Sequence, residues 1–151
     1  MTTNLGNIAE AGNSSSGSSS PFFTSAYIFS SGVGGSTTRY LGIGESISLV
    51  AVTNPTFVST VVDFPFTVSL LRVTTGAAQS GTGSFVVNIY KNGGATAVSA
   101  IVTAGGAAGT YSDEVNSVSF VEGDLICLQL VNNASATAAV PVLIQCKIQP
   151  N

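Results

Sequence analysis

Few side chains in this sequence are able to do chemistry. The seven acids are Glu10, Glu45, Asp63, Asp113, Glu114, Glu122 and Asp124, and there is no histidine. Asp113 with Glu114, and Glu122 with Asp124, form two close pairs. A carboxylate pair can act as acid and base in glycoside hydrolysis, or hold calcium together with backbone carbonyls. The plainer reading is stronger here, because each pair stands where a strand begins and Asp beside Gly favours a turn. The two cysteines, Cys127 and Cys146, lie in the strand-like runs "LICLQL" and "VLIQCKI". No C-x-x-C spacing and no His accompany them, which argues against the usual metal sites. They read as buried thiols acting as small hydrophobes, or as a disulfide between strands, a choice that Cβ geometry decides. There is no G-x-S-x-G motif and no P-loop. The Gly-rich stretches lack the Lys and the strand-to-helix context that phosphate binding needs. No catalytic, metal or cofactor site is expected, and the chain does not read as an enzyme.

The elements available to position these residues are strands. From Phe22 onward, short runs rich in Val, Ile, Thr, Phe and Tyr alternate with clusters of Gly, Asn, Ser and Asp. Strands are expected near 24–30, 37–42, 46–53, 57–62, 65–75, 83–91, 95–103, 112–121, 124–132 and 140–149. No segment sustains a helical period. In "FVVNIYKNGGATAVSAIV" an Asn-Gly pair separates two β-rich runs, the strongest short-range mark of a hairpin. In "VEGDLICLQL" the residues Glu122, Gly123 and Asp124 make a tight turn. The stretches "TGAAQSGTG" and "TAGGAAG" are loops. Antiparallel strands at this spacing predict a sandwich or jelly roll.

Several strands are apolar on both faces. One face of 83–91 carries Phe85, Val87 and Ile89, and the other Val86, Asn88 and Tyr90. One face of 124–132 carries Ile126, Leu128 and Leu130, and the other Leu125, Cys127 and Val131. In 140–149, Val140, Val142, Ile144, Cys146 and Ile148 share a face. A sandwich standing alone should alternate more cleanly, so a subunit interface is expected on one of these faces. Composition points the same way. Charged residues are 7% of the chain, against roughly 25% in a typical domain, and so little charge favours association.

The first residues differ from the rest. Residues 1–12 carry Leu5, Ile8, Ala9 and Ala11 on a polar stretch, too short to fold alone, and 13–20 read "NSSSGSSS" before Pro21. Eight flexible residues span about 16 Å on average and roughly 27 Å at full stretch. The chain therefore divides into a connector peptide (1–12), a Ser-rich linker (13–21) and a β domain (22–151). Net charge is −3, and Arg39, Arg72, Lys91 and Lys147 are scattered, so the basic footprint of a nucleic-acid binder is missing. No apolar stretch reaches the ~18 residues of a membrane span. Nor does the N-terminus look like a secretory signal. Asn13 and Asn133 each begin an Asn-x-Ser sequon, which so Ser- and Asn-rich a chain produces by chance.

The elements "FTVSLLRVTT", "GSFVVNIYKNGGATAVSAIVTA", "YSDEVNSVSFVEGDLICLQLV" and "VPVLIQCKIQ" together resemble bacterial jelly-roll heads of the complement and tumour necrosis factor type. Similar heads cap the collagen-like hairs of the exosporium in spore-forming bacteria, and others build the thin fibres of endospore appendages. The likeness spans Phe66 to Ile148, and its "NG" and "GD" turns are common in β folds. The chain has no Gly-X-Y repeat, so it is not itself a hair protein. The resemblance implies an all-β, antiparallel jelly roll of about ten strands that trimerises around its last strands. Ile126, Leu128, Leu130, Val142, Ile144 and Ile148 would form the trimer seam or the core. It also gives residues 1–12 a role, as a plug that docks into the next trimer through Leu5, Ile8, Ala9 and Ala11. Expected partners are further copies of the chain, with spore-surface or tip proteins, and neither nucleic acid nor membrane. The expected location is the outer surface of a spore or virion. The competing expectation is a binding head, either a phage tail-tip or virion decoration protein or a spore-surface adhesin, with its loops turned to a receptor or glycan.

Overall fold

The computed structural model describes residues 20–28, 37–43, 46–47, 52–79, 82–133 and 142–151. They form eleven strands: β1 (Phe22–Ile28), β2 (Thr37–Leu41), β3 (Ser46–Ile47), β4 (Thr60–Val61), β5 (Phe66–Thr75), β6 (Phe85–Lys91), β7 (Gly94–Val102), β8 (Gly109–Asp113), β9 (Val118–Phe120), β10 (Leu125–Asn132) and β11 (Val142–Pro150). Sheet I has the order β3-β1-β11-β5-β8, with β9 also on β5; sheet II has the order β2-β10-β6-β7, with β4 also on β10. All pairings are antiparallel except the short β1–β3 contact.

The pairing is nested. β1 pairs β11 in sheet I, β2 pairs β10 in sheet II, β5 pairs β8 and β9 in sheet I, and β6 pairs β7 in sheet II. That is a long hairpin rolled so that successive strand pairs fall alternately in the two sheets, which is the jelly roll. Alternation along each strand fills the space between the sheets. Phe66, Val68, Leu71 and Val73 face inward from β5, and Val142, Ile144, Cys146 and Ile148 from β11. Opposite them stand Phe85, Val87 and Ile89 of β6 and Ile126, Leu128 and Leu130 of β10. A bulge interrupts β5. Lys147 faces Leu70 and Ile148 faces Val68, so Ser69 is an extra residue and alternation resumes one step later.

Two expected strands differ. The run expected at 112–121 is broken into β8 and β9, and β8 begins at Gly109, inside a stretch expected to be loop. The break comes from Asp113, whose Oδ1 accepts the N–H groups of Val115 (3.1 Å) and Asn116 (3.0 Å), turning the chain as side-chain acceptors do. The run expected at 57–62 is a strand only at Thr60–Val61, because Pro55–Phe57 form one 3-10 turn capped by Asn54, which accepts the Thr56 N–H. The 83–91/95–103 hairpin is present. Asn92 and Gly93 both have positive φ, 49° and 88°, as a type I′ turn requires.

The ends of the long strands β1, β5, β6, β7, β10 and β11 fall at two poles. The pole holding the first residues of β1, β5 and β10 and the last of β6, β9 and β11 is called the base. The β5–β6 and β7–β8 loops lie at the other pole, the top.

Candidate functional site

The "YKNG" and "VEGD" motifs meet at the base. The Asn92 N–H donates to Leu125 O at 3.0 Å, and Leu125 N–H donates to Asn92 Oδ1 at 2.7 Å. Asn92 Nδ2 donates to Asp124 Oδ1 at 2.6 Å. Lys91 Nζ lies 2.9 Å from Asp124 Oδ2, donates to Ser119 O at 2.8 Å and stands 5.1 Å from the Phe120 ring centroid. Asp124 Oδ2 also accepts the Val121 N–H at 2.9 Å. The Val121 N–H, the Lys91 ammonium and the Asn92 amide hold the Asp124 carboxyl down at about 2. The cluster clasps the β6–β7 turn to the β9–β10 turn. Both carboxylate oxygens are already engaged, so the clasp fastens the base.

Asp113 is consumed in the same manner. It faces inward from β8, opposite Leu71, and reaches the other sheet, where Oδ2 accepts the Ser99 N–H of β7 at 2.9 Å. Burial raises its pKa, but the N–H groups of Ser99, Asn116 and Val115 and the Asn116 amide outweigh burial and leave it below the usual carboxylate value. Because β7 and β8 end their sheets, this contact stitches one open edge of the sandwich and occupies a donor that another strand would seek. Glu114 is exposed, 3.7 Å from Arg72. The two acid pairs thus do not converge. Among the described residues no three of His, Cys, Asp and Glu come together in a way that would hold a metal ion.

The other candidate residues are placed as follows. Ile126, Leu128, Leu130, Val142, Ile144 and Ile148 are all buried inside a single sandwich, so any seam between subunits uses other side chains. Cys127 and Cys146 are both free and buried. Cys146 lies in the core and burial pushes its thiol up to about 12. Cys127 belongs to the outward face of β10, beside Tyr90, and is buried with the Ser59 hydroxyl of the 52–61 segment against it. Its thiol is raised by burial, with an opposing contact from the Ser59 hydroxyl. Leu5, Ile8, Ala9 and Ala11 lie outside the described residues.

The outer face of sheet I is mostly polar, whereas that of sheet II is mixed, with Val86, Ile101, Cys127 and Val131 among its polar residues. On sheet II, Asn88 Nδ2 donates to Gln129 Oε1 at 2.9 Å, Gln129 Nε2 donates to the Tyr40 hydroxyl at 3.3 Å, and Tyr40 meets Tyr90 edge-on at 5.0 Å. On sheet I, hydroxyl pairs bridge Thr74 to Thr110 at 2.9 Å and Thr67 to Ser119 at 3.1 Å. Sequence reasoning named Leu125 on an apolar second face but missed the other residues of the exposed apolar surface at the base. Val61, Phe64, Val121 and Leu125 are exposed there, and Leu125 faces Val61 across the β4–β10 pairing. The Phe64 ring leans on Phe66, which stacks on Phe120, at 5.7 and 5.1 Å. These four come from two separate segments, 61–64 and 121–125, so no periodicity announces them. No protein-family model matches the chain, and no curated protein matches its sequence.

Proposed function

We propose that the chain is a structural subunit of a self-assembling extracellular fibre, a homotrimeric jelly roll joined head to tail by its N-terminal connector. The carrying observation is a division of labour along the chain. A β domain whose Asp113 and Asp124 are engaged within the fold and whose two thiols are buried follows a short peptide with apolar residues at Leu5 and Ile8, on a Ser-rich tether. A short peptide on a flexible tether suits linking copies, since three plugs per trimer supply avidity that one lacks, and a contact that does not close on itself makes a filament. The resemblance to endospore appendage subunits supports the same reading and sets the spore surface as its place. The test is deletion of residues 2–12. The shortened protein should keep its β circular dichroism and its oligomeric state while forming no fibres by negative-stain microscopy; undiminished fibres would refute the proposal.

One observation favours a second reading, the binding head of a virion or spore surface. The β5–β6 and β7–β8 loops gather at the pole opposite the start of β1, where a head anchored by its N-terminal tail would present ligand loops. Dose-dependent glycan or receptor binding that disappears when residues 103–108 are replaced would favour this reading over the fibre.

A further inference from the structure

The apolar base needs an occupant. Val61, Phe64, Val121 and Leu125 are 55%, 48%, 58% and 39% exposed. Backbone bonds join them into one surface: Val62 N–H donates to Asp124 O at 2.8 Å and Gly123 N–H donates to Val62 O at 2.9 Å. Asp63, Glu122 and the Lys91–Asp124 pair stand beside it. An apolar centre with a polar rim is the anatomy of a protein contact.

Where the chain enters the sandwich says what that contact is. Phe22 is opposite Ile148, and Pro150 is opposite Phe66, so the chain preceding β1 leaves from the base itself. A linker of eight residues reaches roughly 27 Å at most. Whatever residues 1–12 hold is therefore brought close to the base. Contact between two bases would close on itself and stop growth, whereas contact between a base and a top propagates. The top is suited to an apolar neighbour. Residues 76–79 and 103–108, which lie there, contain no charged residue, and Thr103, Ala104, Ala107 and Ala108 are exposed.

We infer that the base patch of Val61, Phe64, Val121 and Leu125 is the axial contact surface of the fibre, seated on the uncharged 103–108 loop of the next copy. This rests on the fibre reading and adds to it the two surfaces that meet. The patch presents on the order of 300 Å², well below the ~800 Å² per partner of a stable interface. The contact alone does not hold two copies together, and the tethered peptide must act with it.

The experiment uses full-length protein carrying Val121→Lys, and full-length protein carrying both Val121→Cys and Ala107→Cys. Wild type should form fibres, and Val121→Lys should need about tenfold more protein to do so. Mild oxidation of the V121C/A107C protein should give a ladder of cross-linked multimers on a non-reducing gel, which neither single variant gives. Wild type without fibres at any concentration would overturn the fibre reading itself. Fibres that tolerate Val121→Lys, with no ladder from the cysteine pair, would overturn the axial contact and leave that reading standing. Two further results would also overturn it: dimers from Val121→Cys alone, which mean base-to-base contact, and a cross-link within one chain between Leu5→Cys and Val121→Cys, which means that the chain's own N-terminal segment covers the patch.

Discussion

Asp113 and Asp124 are acids used as acceptors for backbone N–H groups, and their value to the fold depends on their charge. Replacing Asp113 by alanine leaves the Ser99, Val115 and Asn116 N–H groups without their carboxylate. Hydrogen bonds to a charged group contribute about 1.5–3 kcal/mol. Asp113→Ala should therefore lower the unfolding free energy by about that much, read as a lower urea midpoint with little change in the slope. Asp124 gives a pH signature. Its pKa is about 2 in the folded chain against an ordinary 3.8. The unfolded chain therefore binds the proton first as pH falls, and stability is lost on the way down. The contribution should be complete above about pH 4 and fade toward pH 2. Asp124→Asn should remove part of this acid-induced loss while lowering Tm at pH 7, where the Lys91 partner is stranded. Thermal melts between pH 2 and 7 check both halves; identical acid limbs for the two proteins would refute the assignment.

At the scale of the element, the β6–β7 turn does two tasks. It closes the hairpin and it carries Asn92 into the clasp. Gly93 has φ +88° with open space where a Cβ would stand, so the cost of Gly93→Ala is conformational rather than a clash. A left-handed residue costs about 1–2 kcal/mol once it has a Cβ. Gly93→Ala should lower stability by about that much, read by chemical denaturation. The 52–61 segment is the weaker element. It holds to β10 through two residue pairs and to β2 through the Tyr40–Val52 bridge, yet it places Ser59 against Cys127. Segments with few buried contacts open first. Thiol labelling in urea below the unfolding midpoint should therefore modify Cys127 well ahead of Cys146, and equal rates would show that the segment opens only with the whole sandwich.

The same elements show what was legible in the sequence. The hairpin was readable because Asn-Gly needs no distant partner to take positive φ. The core faces of β6, β10 and β11 were readable because alternation along a strand is local. The break between β8 and β9 was not, since Val118 and Ser119 look like a continuing strand and only the inward turn of Asp113 ends it. Cys127 looked like part of an excess apolar face because its cover arrives from a segment some seventy residues earlier. The clasp joins two turns that were each recognised, but the bond between them depends on how the strands nest.

At the scale of the whole molecule, charge is the scarce resource. Four cations and seven acids serve 151 residues, and the Lys91–Asp124 pair spends its charge inside one subunit. Two consequences separate by salt and pH. In the proposed fibre, contacts between copies would have few charges to screen, and apolar burial is strengthened by sulfate. Association should thus be nearly unchanged between low and moderate sodium chloride, and should increase in ammonium sulfate. Repulsion between copies rests on a net charge of −3 and vanishes near the isoelectric point of about 4.4. Nonspecific clumping should therefore peak near that pH, while the ordered contact, built from uncharged side chains, should hold on either side of it. Sedimentation velocity across salt and pH measures both. Association that collapses on adding 0.2 M sodium chloride would mean that ion pairs hold the copies together, and with so few charges those pairs would be traceable one residue at a time.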